Sequence, residues 1–173
     1  MSRRTEISMD TELPVIHITR EFDAPAPHVF RAHVDPGLFV RWIGPTDVRA
    51  EVDYWDARSG GSWRYVARRG EFTAGFRGCF HELREHDLVI QTQTYEGTPD
   101  RVSLDRLVLV ELGPTRTRLM VTSLHESFEH RDALVASGME HGVLDGYATL
   151  DRLLADRLDD RAEAGDHDHP DER

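Results

Sequence analysis

The chain has 173 residues, 21 basic and 32 acidic, for a net charge of -11. Hydrophobic residues make up 39%, enough for one globular domain burying about 70% of the surface its unfolded chain would expose. Every basic residue is arginine, and lysine and asparagine are both absent, which excludes Schiff-base chemistry, lysine-anchored pyridoxal phosphate, a Walker-type phosphate loop and N-glycosylation.

The single cysteine, Cys79, can form neither an internal disulfide nor a Cys-rich zinc site, and its apolar strand context reads as a buried small hydrophobe. An acidic chain with no basic block offers a phosphate backbone little to hold, so nucleic acid is not an expected partner. No apolar run approaches the roughly 18 residues of a spanning helix, and the first residues lack a signal peptide's apolar stretch. The expectation is a cytoplasmic protein without a membrane partner.

Residues 1–13 are polar and aperiodic, and 159–173, DDRAEAGDHDHPDER, are nearly all charged or small. Neither stretch has the apolar side chains to offset ordering entropy. The first therefore reads as a mobile tail and the second as an acidic disordered one, around a folded unit over 14–158. VIHITREF, Val15 to Phe22, is β-branched with Ile16, Ile18 and Phe22 at even spacing, a half-buried strand. DAPAPHVFRAHVDP follows with a proline suited to a first helical turn, and Asp35 is a candidate N-cap for a second short helix over Pro36 to Trp42.

From Val48 to Leu124 the text changes to strands and tight turns. VRAEVDYW and SWRYVA flank Gly60-Gly61 as a hairpin, and four further β-prone runs follow with short breaks, which favours antiparallel neighbours. The total is about seven strands. From Glu129 to Leu158, Val135, Met139, Val143, Tyr147, Leu150 and Leu154 recur at steps of three or four, predicting one unbroken amphipathic helix of about eight turns. Gly138, Gly142 and Gly146 share one side of it, serving either close backbone approach or room beside the helix for a ligand.

This order resembles the SRPBCC (START-like) superfamily, in particular the branch named after the activator of heat-shock-protein-ninety ATPase. The stretches that carry the resemblance are Ala24-Pro25, Val29-Phe30, Asp35-Pro36, Trp42-Ile43-Gly44-Pro45, Gly60-Gly61-Ser62-Trp63-Arg64-Tyr65, Phe76 to Leu83 and Gly146-Tyr147 with Leu150, Leu153 and Leu154. It covers residues 14–158; tyrosine at 147 replaces a more usual tryptophan. It implies an α+β helix-grip fold: a curved antiparallel sheet wrapped around a long C-terminal helix, with two short helices after the first strand. It also implies a cavity between sheet and helix for a small hydrophobic or aromatic molecule. The expected lining is Trp42, Trp63, Tyr65, Phe76, Phe80 and Tyr95, with Met139, Val143 and Tyr147 from the helix. The alternatives are a polyketide cyclase- or dehydratase-like enzyme, or a co-chaperone-like regulator of a heat-shock ATPase. Monomers and homodimers are both compatible with the fold.

No catalytic set emerges from the residues, and neither a cofactor nor a metal is expected. Asp166-His167-Asp168-His169 has ligand chemistry but lies in the acidic tail. His141 and Asp145, four apart on the helix, form the candidate acid–base pair of the enzymatic alternative. Ser123, His125 and Glu126 crowd one strand end without the glycine elbow of a hydrolase.

Overall fold

The computed structural model describes residues 4–165. Eight strands form one antiparallel sheet: β1 (Glu6–Met9), β2 (Val15–Phe22), β3 (Arg49–Trp55), β4 (Ser62–Arg69), β5 (Phe72–Arg84), β6 (Leu88–Tyr95), β7 (Ser103–Gly113) and β8 (Arg116–Leu124). Their spatial order is β1-β2-β8-β7-β6-β5-β4-β3, so β3 to β8 run as a meander and β2 closes against its last strand. Helices α1 (Ala26–Val34) and α2 (Pro36–Phe39) follow β2, while α3 (Phe128–Ala136) and α4 (Met139–Gly165) end the described chain. The fold is the expected α+β helix grip.

Strand periodicity decides which side chains meet the helices. In β2, Ile16, Ile18, Arg20 and Phe22 are all buried, and in β7 Ser103, Asp105, Leu107 and Leu109 are, as the two-residue repeat of a half-covered strand requires. Register shifts at Val52/Tyr54, Phe80/Glu82 and Glu111/Gly113 add the local twist that lets a sheet curl around helices. Asp35 ends α1 and caps α2, its carboxylate accepting from the Leu38 N–H at 3.1 Å.

Three expectations require correction. Glu6–Met9, expected within a mobile tail, pairs antiparallel with β2 from Glu6 opposite Thr19 to Met9 opposite Ile16; backbone hydrogen bonding to an open sheet edge orders a four-residue segment too short to be stable alone. This strand makes the count eight. The helix expected to run unbroken over 129–158 is divided at Gly138, whose φ of +89° ends α3 as a glycine readily does and most residues do not. At the other end α4 continues to Gly165, into the stretch expected to be disordered; the Asp166–His169 cluster lies outside the described residues.

Gly142 and Gly146 of α4 differ in purpose. A β-carbon on Gly146 would sit 2.9 Å from the Trp42 carbonyl oxygen and 3.3 Å from the Gly44 nitrogen, whereas one on Gly142 would meet only Pro45 at 3.5 Å. Gly146 thus permits close approach of α4 to the loop after α2. Gly142→Ala is expected to stabilise the protein by about 1 kcal/mol through helix propensity. Gly146→Ala should lose about 1–3 kcal/mol because backbone must move. Urea unfolding of both variants checks the contrast, and equal effects would refute the close-approach explanation.

Candidate functional site

The interior is built from rings contributed by every layer. Tyr147 of α4 stacks on Trp42 at 5.8 Å, and Trp42 meets Phe39 of α2 edge-on at 5.7 Å. Phe39 touches both Trp55 of β3 at 4.9 Å and Tyr65 of β4 at 5.2 Å. From there Trp63 stacks on Tyr65 at 5.9 Å, Trp55 reaches Phe80 at 5.6 Å, and Tyr65 leads through Phe76 to Tyr95 at 5.2 and 5.5 Å. Aromatic pairs in this distance range contribute beyond the area they bury. Trp42 and Trp55 are also fixed by their indole N–H groups, which donate to the Ala32 and Val34 carbonyls at 2.8 Å. α1 is thereby tied to both rings.

Within this network lies a cavity of about 30 Å³, bounded by His33, Phe39, Trp55 and Trp63, and by Val89, Gln91 and Leu107. Such a volume holds roughly two water molecules. Its walls belong to α1, α2, β3, β4, β6 and β7, so the space lies under the two short helices. Of the nine residues expected to line a pocket, Trp63 borders it. Trp42, Tyr65, Phe80 and Tyr147 are buried in the surrounding core, Phe76, Met139 and Val143 pack partly buried against it, and Tyr95 is exposed at its edge. Phe39, Trp55 and His33 escaped the sequence reading. Trp55 could have been paired with Trp63 from the hairpin register, in which the two are opposite; Phe39 and His33 reach the cavity only through the docking of α1 and α2.

Polar groups at this site are few. His33 Nδ1 lies 2.7 Å from the Val29 carbonyl oxygen, and burial, only partly opposed by that bond, lowers its pKa to about 4. The ring is therefore neutral at pH 7, with Nδ1–H donating and Nε2 left as an acceptor. His33 Nε2 and Trp63 Nε1 are both buried without a hydrogen-bond partner among the described residues. Beside them, the Asp105 carboxyl is pushed upward in pKa by burial, against hydrogen bonds from Ser123, Ser103 and Gln91 that pull it down. The Ser123 bond is 2.5 Å long. An acidic residue alternating with Ser103, Leu107 and Leu109 was the available signal for Asp105, once the strand's inward phase is known.

Other chemical candidates find structural places. Ser123 Oγ lies between Asp105 and His125 Nε2, the latter at 3.3 Å; a hydrolytic triad needs the histidine in the middle, so this is not one. His141 is exposed, and the Asp145 carboxylate accepts from Thr46 N–H at 2.9 Å and Thr46 Oγ1 at 3.3 Å, stapling α4 to the loop before β3. The pair does not border the cavity. Cys79, expected to be buried, is exposed, because Phe80 takes the inward phase of β5 and its neighbour must point out. Among the described residues, no three of His, Cys, Asp and Glu converge to hold a metal ion, and no helix is long and apolar enough to cross a membrane.

Known structures share this architecture. A protein from Arthrobacter aurescens is 25% identical with a TM-score of 0.80, covering 87% of this chain and 91% of its own. Protein Ms6760 from Mycobacterium smegmatis is 21% identical with a TM-score of 0.79, covering 87% and 97%, and a Staphylococcus epidermidis protein is 19% identical with a TM-score of 0.75, covering 96% and 99%. No curated protein matches the chain. The family described as Activator of Hsp90 ATPase homolog 1-like protein matches residues 23–155. With most of the described chain inside that match and the helix-grip sheet in place, the protein belongs to the Activator of Hsp90 ATPase homolog 1-like family.

Proposed function

We propose that the protein binds a small hydrophobic or aromatic molecule in the ring-walled interior under α1 and α2. The observation that carries this reading is the pairing of an aromatic cavity with two orphaned polar atoms, His33 Nε2 and Trp63 Nε1, on residues that wall it. A buried donor or acceptor left unmade costs about 1–3 kcal/mol. A guest offering one donor and one acceptor removes both penalties while its apolar body replaces water against Val89, Leu107 and Trp55.

An aromatic guest needs more space than the resting cavity provides, because a benzene-sized molecule occupies an apolar void of about 150 Å³. The adjustable walls are Phe39, on a helix of four residues, and Trp55, on the edge strand β3, which moves only by giving up its bond to the Val34 carbonyl; both are partly buried. Displacing these two rings outward admits the guest without moving the inner strands.

Phe39→Ala enlarges the void in advance. It is expected to lose about 2–4 kcal/mol of stability and to recover part of it when saturated with indole or benzene. Thermal shift and native mass spectrometry read both effects. The binding reading fails when neither the parent protein nor Phe39→Ala is stabilised by, or retains, any member of an aromatic panel.

A further inference from the structure

Asp105 is the only buried acidic residue among those described. The Ser123 hydroxyl donates to its carboxyl at 2.5 Å, while Ser103, whose hydroxyl donates to the Gln93 carbonyl at 3.4 Å, and Gln91, opposite Asp105 in the β6–β7 register, are its other polar neighbours; all are neutral. A carboxylate has about four acceptor positions, so acceptor capacity remains open. The buried guanidiniums pair elsewhere: Arg20 through its two terminal nitrogens to Thr5 and Asp151, with its Nε left unpartnered, and Arg131 to Asp132 and the carbonyls of Asp10 and Leu13. His125, one hydroxyl away, has its pKa lowered to about 4, first by burial and also by the nearby Arg131 charge, and is neutral at pH 7. The interior therefore carries an acid without a counter-ion.

Asp105 stands just behind the cavity wall. Gln91 lines the space and lies opposite Asp105 in the β6–β7 register, and Leu107, two residues along β7, forms the next part of the wall. Three further wall residues, Phe39, Trp55 and Trp63, with Tyr65 packed on Phe39 and Trp63, are aromatic, and ring faces attract a cation electrostatically. Aromatic rings together with one uncompensated carboxyl are complementary in charge to an organic ammonium ion. The chain's net charge of -11 also draws cations toward it.

Resting on the binding reading above, we infer that the guest is an amine. Its ammonium group takes an open acceptor position on Asp105 beside Gln91, and its hydrocarbon part lies against Trp55, Trp63 and Phe39. The two orphaned atoms at His33 and Trp63 then serve a second polar substituent of the guest or a bridging water.

The test compares benzylamine, a cation at pH 7.5, with benzyl alcohol, a neutral molecule of nearly equal size, by calorimetry on the full chain. The parent protein is expected to bind the amine about tenfold or more tightly than the alcohol, and Asp105→Asn, which keeps the shape of the carboxyl, should erase that ratio while retaining the alcohol. Equal affinity of the parent for both probes overturns the amine inference and leaves the pocket standing. A preference that persists in Asp105→Asn overturns it too, since the carboxyl is then not what recognises the cation. Failure of both probes on the parent and on Phe39→Ala removes the binding reading and the amine together. The parent's own ratio decides the matter even where Asp105→Asn folds poorly.

Discussion

Taking the protein from pH 7.5 to pH 4.5 is expected to cost about 3 kcal/mol of stability through His33 alone. The ring is buried and neutral, with a pKa lowered to about 4 from the ordinary 6.5. The unfolded chain takes up a proton as pH falls through 6.5, while the folded chain does so only near 4. Stability from this group is therefore complete above about pH 6.5, declines between 6.5 and 4, and is constant below. His125, also lowered to about 4 and for the same first cause, burial, acts in the same direction. Asp105 has the opposite sign. Its pKa is raised, so its contribution is present at low pH and fades as pH rises through the raised value. Urea titrations at several pH values check all three. His33→Phe should flatten the dependence over 6.5 to 4, and Asp105→Asn should steepen it while gaining stability at pH 7.5. A His33→Phe variant with the same pH dependence as the parent over 6.5 to 4 would contradict the burial of neutral histidine.

The second large effect lies where α4 is held to the sheet. Asp151→Ala is expected to destabilise the protein by about 3 kcal/mol. Arg20 points inward from β2 between Ile18 and Phe22, is 4% exposed, and places its guanidinium on Asp151 and on the Thr5 hydroxyl. Removing the carboxylate leaves a buried cation without its counter-charge. The figure is set at the lower end of what breaking a buried pair costs because Asp151 itself is 35% exposed. Arg20→Met in the Asp151→Ala background should restore most of the loss, since an apolar side chain of similar volume needs no partner. A double-mutant cycle in urea measures the coupling. Additive losses would show that the pair does not act as a unit.

The contrast between these two predictions reflects what kinds of order are written locally. VIHITREF announces its inward face by alternation, and three of the four inward residues are apolar; Arg20 occupies the same phase and was legible as an anomaly only to a reader who already trusted the strand. Asp35 before Pro36 was recognisable as a cap because capping is a contact between residues three apart. Tyr147, Leu150 and Leu154 were legible as one helical face for the same reason. β1 was not, since the alternation of EISM spans only four residues and its order comes from the free edge of β2. Gly138 was visible as a costly residue, but whether a helix tolerates a glycine or stops there depends on where the following segment must pack.

The site divides along the same line. The amino-acid sequence by itself determined the strand periods, the helical faces, the arginine-only chemistry and, through its resemblance, the helix-grip architecture, because all of these are carried by neighbours within a few residues or by composition. Only the tertiary structure decided that the cavity lies beneath α1 and α2, that Phe39 and Trp55 wall it, that Cys79 faces outward and that Asp105 sits inside without a cation. Volume and countercharge are sums over side chains brought together from distant parts of the chain, and no local pattern encodes such a sum.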